Sequence, residues 1–364
     1  MLGSEPDFTG ITMRNLICCW CNSDSENFEN HVPLVLSGNR NTRLGFENRI
    51  DILFLSGFDR LTDAYKAALK NTGYRLHDVS GLYRELVTRY SPLDRFGDYE
   101  KKCFLRWPII AKYFPNEPVV HYDGDIVFNE DPAVIARLFR HRTFVLQGCP
   151  ALTAITDDRW FAQYNHELDL FVNDIEGYSQ RAWKEREGWQ VSEKSKWAGQ
   201  RYREIISSDQ DLLSHLIHTD RIIQATPSDV MGDLQSYIVA ENPLYLHHYD
   251  PTIRNATYRR TSGIDYIDGR RVLLWHMQSD FTKYLSTFVF MKTYLRWARM
   301  RTTNHVEKAG LDTRLHNFFL RRLHGKADTR LSLCKYFFES GDFSDVFTGQ
   351  AWWQEGVFST GRPA

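Results

Sequence analysis

Short apolar runs alternate with segments of helical period along this chain, and that alternation limits its fold more than any other feature. RNLICCWCN (residues 14–22), RIDILFLS (49–56), YRLHDV (74–79), TFVLQG (143–148) and RVLLWH (271–276) have the length and the Ile, Val, Leu and aromatic content of strands. Between them, residues 26–36 form a helix or a loop. Residues 61–72 predict a helix with Ala64, Ala67, Ala68 and Leu69 on one side, stopped by Gly73. Residues 100–113 place Cys103, Phe104, Trp107 and Ile110 at helical spacing, with a break expected at Pro108. Strands that alternate with helices predict an α/β/α sandwich around a mostly parallel central sheet. In such sheets ligands bind beyond the carboxyl ends of the strands.

One stretch resists that pattern. In EPVVHYDGDIVFNEDP (117–132) an apolar run enters Asp123-Gly124-Asp125 and a second apolar run, 126–128, leaves it. Asp has poor strand propensity, and an ionised carboxylate is costly to bury without a partner. Two close together repel, so they share a proton or a cation. Gly124 puts no side chain between them, which leaves room for a ligand. The bland alternative is a strand that ends at Tyr122, with Asp and Gly serving a turn. Downstream, Asp131 predicts a helix cap and Pro132 suits the first turn.

Composition narrows the function classes. A chain of 364 residues holds one large α/β domain with additions, or two domains. A net charge of -1 gives no reason to invoke nucleic acid. The six cysteines form no evident disulfide framework: Cys18, Cys19 and Cys21 crowd one apolar strand, and Cys103, Cys149 and Cys334 are scattered. Buried reduced thiols, and a polar N-terminus with no apolar signal region, predict a cytoplasmic protein. On that reading the sequon Asn255-Ala256-Thr257 is a chance match. No apolar run approaches membrane-spanning length. Residues 281–330 carry eleven Lys or Arg against three acids, interleaved with aromatics. Amphipathic helices packed on a core explain this tail; peripheral contact with an anionic membrane face is the alternative.

The polar residues suggest a chemistry. Were Asp125 and His276 to meet, with Asp123 beside them, they would form an oxygen/nitrogen site suited to Mn²⁺ or Mg²⁺ and, through the metal, to diphosphate oxygens. Arg106 and Lys283 are candidate partners for that phosphate charge. Residues 176–205, polar and studded with Tyr178, Trp183, Trp189, Trp197 and Tyr202, read as an excursion from the sheet. Such a segment serves as an acceptor lid or buries its rings on the core.

Taken in order, these residues resemble the nucleotide-sugar-dependent glycosyltransferases of the GT-A fold. FLRWPIIAKYFPNEPVVHYDGDIVF looks like the Arg-bearing helix, the proline-marked loop and the D-x-D strand of that family, and a helix at 131–138 follows. Asp209-Gln210-Asp211-Leu212-Leu213 is similar to the D-Q-D segment of the retaining galactosyl- and glucosyltransferases related to glycogenin. Trp275-His276, followed by Lys283, looks like the late metal-site His and a diphosphate Lys. Met277-Gln278-Ser279 stands where the family often has x-x-Gly, and Ser214 where it often has Asn.

The resemblance implies a Rossmann-like GT-A domain over 1–283, with a donor half at about 14–130, an acceptor half at about 131–283, and a helical extension over 284–364. It implies a metal held by Asp123, Asp125 and His276. Donor contacts would come from Asp123, Arg106, Asn22 and Lys283, and Asp209, Gln210 and Asp211 would lie by the reacting sugar. It implies a UDP-sugar donor, retention of configuration, and a glycan, lipid-linked, protein or small-molecule acceptor.

Each role has a simpler counterpart: a helix cap for Asp209, a hydrogen-bonded core His for His276, a surface charge for Arg106. Two other functions compete. Asp123-Gly124-Asp125-Ile126-Val127 also fits the motif of haloacid-dehalogenase-like phosphatases, with Asp123 as nucleophile and Asp125 as acid. A sugar-binding module without turnover is the third.

Overall fold

The computed structural model describes residues 13–20, 24–146, 150–185, 205–222, 237–241 and 258–276. The chain is α/β, with a mixed, mostly parallel six-stranded sheet of order β3-β2-β1-β4-β7-β6. It divides into two compact units.

The unit formed by Ile17–Ser80, Asp123–Ile135 and Asp233–Ala364 starts with a βαβαβ run. This comprises β1 (Arg14–Trp20), α1 (Asp24–Leu44), β2 (Ile50–Ser56), α2 (Asp63–Asn71) and β3 (Arg75–Asp78). β2 and β3 pair in parallel, Asp51 opposite Arg75 and Phe54 opposite Asp78. β2 is buried on both faces, so its near-continuous apolar sequence fits a covered sheet. α2 starts where Thr62 accepts a hydrogen bond from the Tyr65 amide (3.2 Å). Its buried line is Tyr65 and Leu69, four residues apart; Ala64 and Ala68 flank that line, and Ala67, expected on the inner face, is exposed. Burying the larger side chains removes more apolar area from water, which decides the orientation.

The same unit carries a five-stranded sheet built from β5 (Ile126–Phe128), β8 (Tyr237–Glu241), β9 (Tyr258–Thr261), β10 (Ile264–Ile267) and β11 (Arg270–His276). Two tight hairpins organise it. Ser262 and Gly263 join β9 to β10, with φ of 50° and 81°; Asp268 and Gly269 join β10 to β11, with φ of 49° and 79°. Positive φ at both central residues gives the turn whose twist matches the flanking strands, and S-G and D-G tolerate it. β11 runs parallel to β8 and antiparallel to β5 and β10.

The unit formed by Met1–Leu16, Gly81–Tyr122 and Ala136–Gly232 is largely helical. It contains α3 (Ser80–Arg89, from its second residue), α4 (Asp98–Tyr113), α5 (Pro132–Phe139, from Ala136), α6 (Asp158–Asn173), α7 (Ile175–Glu185) and α8 (Asp209–His218). Its strands are β4 (Val119–Asp123, up to Tyr122), β6 (Phe144–Val145) and β7 (Leu152–Ile155), and β7 runs antiparallel to both β4 and β6. α4 stays continuous through Pro108 and buries every residue from 102 to 110, so the expected break does not occur. Trp107, Trp160 and Tyr164 make its aromatic centre. Trp160 and Tyr164 are stacked with centroids 5.6 Å apart, and Trp107 meets Trp160 edge-on at 5.2 Å.

Two further local expectations change, and others fall outside the described residues. The strand expected over 143–148 is two residues long. The helix at the start of the Trp-rich segment is α7, and 186–204 lies outside the described residues, as do 277–364 with the expected C-terminal helical extension. The Asp-Gly-Asp carboxylates are not inside one buried strand: β4 ends at Asp123, Gly124 and Asp125 turn, and β5 begins at Ile126 in the other sheet. The turn reading was right about the backbone, and the second apolar run is a strand of its own.

Candidate functional site

The turn between β4 and β5 brings two acids to the end of a strand, half-buried rather than sealed in the core. β5 then pairs with the last three residues of β11: Leu274 opposite Phe128, Trp275 opposite Val127, His276 opposite Ile126. That register sets His276 beside the residue preceding Ile126, which is Asp125. The imidazole Nε2 stands 3.4 Å from Asp125 Oδ1. One ligand atom from each of Asp123, Asp125 and His276 lies within 4.8 Å of the others. The three residues that the sequence suggested as metal ligands therefore meet, although about 150 residues separate the acids from the His.

The donor set fits a divalent cation. Asp125 Oδ1 is buried and, among the described residues, makes no hydrogen bond, with only the His276 imidazole near it at 3.4 Å, a costly arrangement for a carboxylate oxygen. Ligand atoms sharing one Mg²⁺- or Mn²⁺-sized ion stand roughly 3 to 4.5 Å apart. The cluster thus closes around such an ion with small side-chain shifts. Two carboxylates and one imidazole make the mixed oxygen/nitrogen set that suits Mn²⁺ or Mg²⁺ better than a thiolate metal.

Arg106 and Asp209 meet in the helical unit. Asp209 Oδ2 accepts hydrogen bonds from Arg106 Nε (2.8 Å) and Trp107 Nε1 (2.8 Å), and Arg106 Nη2 lies 2.7 Å from the same oxygen. Both side chains are buried, so Arg106 is not a surface charge. The N-cap position of α8 belongs to Ser208, which corrects the idea that Asp209 caps the helix; Asp209 and Asp211 occupy its first turn, where carboxylates favour the helix dipole. Asp211 Oδ2 accepts from the Ser207 amide (3.0 Å) and the Ser207 hydroxyl (2.8 Å). Of the three residues of the D-Q-D segment, only Gln210 escapes full burial. Asn22 and Lys283, expected at the donor, lie outside the described residues, as does the basic tail 281–330.

No family model and no curated protein matches the chain. Among the described residues, no helix is long and apolar enough to cross a membrane. Cys18, Cys19 and Cys103 are buried.

Motif reading missed the polar network beneath the site. Asp265, fully buried on β10, accepts from Arg40 Nη2 (3.3 Å), Arg260 Nε (2.5 Å) and Trp275 Nε1 (2.9 Å). Asn129, directly after β5, joins it by donating to the Asp265 carbonyl (3.1 Å) and the Val272 carbonyl (2.6 Å). A signal was available: in IDYI the burial alternates, and the Asp shares the inward face with an Ile. An acid at an inward position of a strand demands partners.

Proposed function

We propose that the protein is a metal-dependent glycosyltransferase of GT-A type, transferring a sugar from a nucleotide-sugar donor, with UDP as the nucleotide, to a hydroxyl acceptor. The observation that carries this reading is the convergence of Asp123, Asp125 and His276 around a buried carboxylate oxygen that has no hydrogen bond among the described residues. The α/β sheet, with the acids at the end of β4, supports it, because open α/β sheets bind ligands beyond strand ends.

In this reading Asp123, Asp125 and His276 hold Mn²⁺ or Mg²⁺. When bound, the cation neutralises charge on the departing diphosphate. Asp123, at the strand terminus, also orients the donor. Gln210, the half-buried member of the D-Q-D segment, supplies an amide oxygen to the positive charge that develops at the anomeric carbon. Asp209 and Asp211, both buried and engaged in hydrogen bonds, hold the start of α8 that presents Gln210. This narrows the direct catalytic role within the segment to Gln210. The resemblance to retaining enzymes makes retention the expected stereochemistry.

Calorimetric titration of UDP into the full-length protein, with Mn²⁺ and then with EDTA, tests the reading. Metal-dependent binding that Asp125→Ala abolishes while the circular dichroism spectrum stays unchanged is the expected result. UDP binding that ignores both EDTA and Asp125→Ala would sink the proposal. Hydrolysis of p-nitrophenyl phosphate lost in Asp123→Asn would move the assignment to a phosphatase with Asp123 as nucleophile.

A further inference from the structure

His276 faces Asp125 only because β11 and β5 pair in one register, and the paired stretch is just three residues long. A slip of one residue would turn His276 to the opposite face and dissolve the cluster. So short a pairing is a weak guardian of register, and the residues that hold it come from the neighbouring strand β10 and from α1.

We propose that Asp265 is a positioning residue for the Asp123–Asp125–His276 centre, locking the strand that carries His276 against the strand that starts beside Asp125. This rests on the reading of that centre as a cation site.

One carboxylate links both strands, β11 directly and β5 through Arg40. Asp265 Oδ2 accepts from the indole of Trp275, the residue directly before His276 (2.9 Å). The same oxygen accepts from Arg40 Nη2 (3.3 Å), and that guanidinium binds the far end of β5 through Nε to the Phe128 carbonyl (3.1 Å) and Nη2 to Asn129 Oδ1 (2.5 Å). Asn129 Oδ1 accepts from the Asp265 amide (2.9 Å), and the amides of Asn129 and Glu130 both donate to the Leu273 carbonyl (3.2 and 3.0 Å). Arg260 completes the carboxylate, with Nε to Oδ1 (2.5 Å) and Nη2 to Oδ2 (3.1 Å).

The energetics favour a positioning role over a general stabilising one. The side chains of Arg40 and Asp265 are 1% and 0% exposed. Desolvating such a pair offsets most of its attraction, and a well-packed apolar substitute stabilises a fold as well or better. What a buried polar network adds is selection of one register, because each donor finds its acceptor in only one alignment. Successive side chains of β11 point to opposite faces, so Trp275 and its acceptor lie on the face away from His276. Asp265 therefore acts through the backbone and is not itself a ligand.

The test is Mn²⁺ affinity, read from the free-ion electron paramagnetic resonance signal of the full-length protein. Asp265→Asn keeps the shape and removes the charge; its dissociation constant for Mn²⁺ is expected to rise about tenfold, as for other residues that orient metal ligands. Trp275→Phe keeps an aromatic ring and removes one donor, so it carries the test even if Asp265→Asn fails to fold, and a smaller rise than for Asp265→Asn is expected. The control is Asp51→Asn in the same unit. Asp51 is a buried carboxylate paired with Arg75 (2.6 Å) and His77 (2.7 Å) on the six-stranded sheet. It should lower the melting temperature and leave Mn²⁺ affinity unchanged. Wild-type affinity in Asp265→Asn or in Trp275→Phe, or an equal loss in Asp51→Asn, overturns the positioning role while the metal site stands. Absence of Mn²⁺ binding by the wild type, or binding that survives Asp125→Ala, overturns the cation site and this role with it.

Discussion

Removing the carboxylate of Asp209 is expected to cost this protein a large part of its stability, quite apart from any catalytic loss. Asp209 Oδ2 is the shared acceptor of two Arg106 nitrogens and the Trp107 indole, all within 2.8 Å. The two charged side chains are 4% and 2% exposed, so water cannot substitute for the lost acceptor. Breaking a buried ion pair from one side costs about 3 to 5 kcal/mol. Depriving a buried indole N–H of its acceptor adds about 1 kcal/mol or more. Because one oxygen serves both, the sum is not simply additive, and about 4 to 6 kcal/mol is the expected loss for Asp209→Ala. Against a total of about 5 to 15 kcal/mol, that is a large fraction, and a total at the low end of this range brings the variant to its unfolding threshold. The assay is urea unfolding followed by circular dichroism, run on Asp209→Ala, Arg106→Met and the double variant. The double variant should recover part of the loss, since it leaves no charge without its partner. A loss below about 1 kcal/mol in Asp209→Ala would refute the argument. The pair would then be dispensable to the fold, and a direct catalytic role for Asp209 would return.

Alkaline pH should unfold the protein early. Burial pushes the phenols of Tyr74, Tyr83 and Tyr178 above their ordinary range, with the Asp98 carboxylate adding to the effect at Tyr83 and the Glu167 carboxylate at Tyr178; burial, together with Asp169, pushes Tyr90 up to about 12. An unfolded tyrosine releases its proton near pH 10 and the folded ones later, so stability is full below pH 10 and falls as pH rises from 10 towards 12. Each such group removes about 1.4 kcal/mol per pH unit within its window. Thermal denaturation at pH 8, 9.5 and 10.5 reads this, and a midpoint that stays level across the series contradicts it. Gly269→Ala places a Cβ at φ 79° in the β10–β11 turn with no neighbouring atom to clash, so strain alone should cost about 1 kcal/mol; a loss above about 3 kcal/mol would mean the turn does more than reverse the chain.

Much of the architecture was legible because its signals are local. Residues 49–56 and 271–276 carry enough apolar side chains to be strands wherever the chain goes, and β2 and β11 are found within one residue of those limits. Thr62 and Gly73 bracket α2 through a cap and a positive φ that depend on adjacent residues alone. The two hairpins of β9, β10 and β11 were equally legible in S-G and D-G, and were passed over. The division of Asp-Gly-Asp between two sheets was not legible, because turn and strand readings share the same residues until a partner strand is present.

The sequence by itself determined the strand and helix segments, and it marked Asp123, Asp125 and His276 as residues that a fold must account for, since each is polar beside a strongly apolar run. Only the tertiary structure decided that they meet. Nothing in the spacing of 125 and 276 encodes a distance; the pairing of Ile126 with His276 across β5 and β11 does. It decided as well which acids are committed elsewhere. Asp209 and Asp265 look alike in sequence to the acids at the β4–β5 turn, yet each is buried against arginine and tryptophan. The physical reason is common to all of them: a carboxylate's role depends on which donors stand within about 3 Å of it, and in a chain of this length those donors come from segments far apart in sequence.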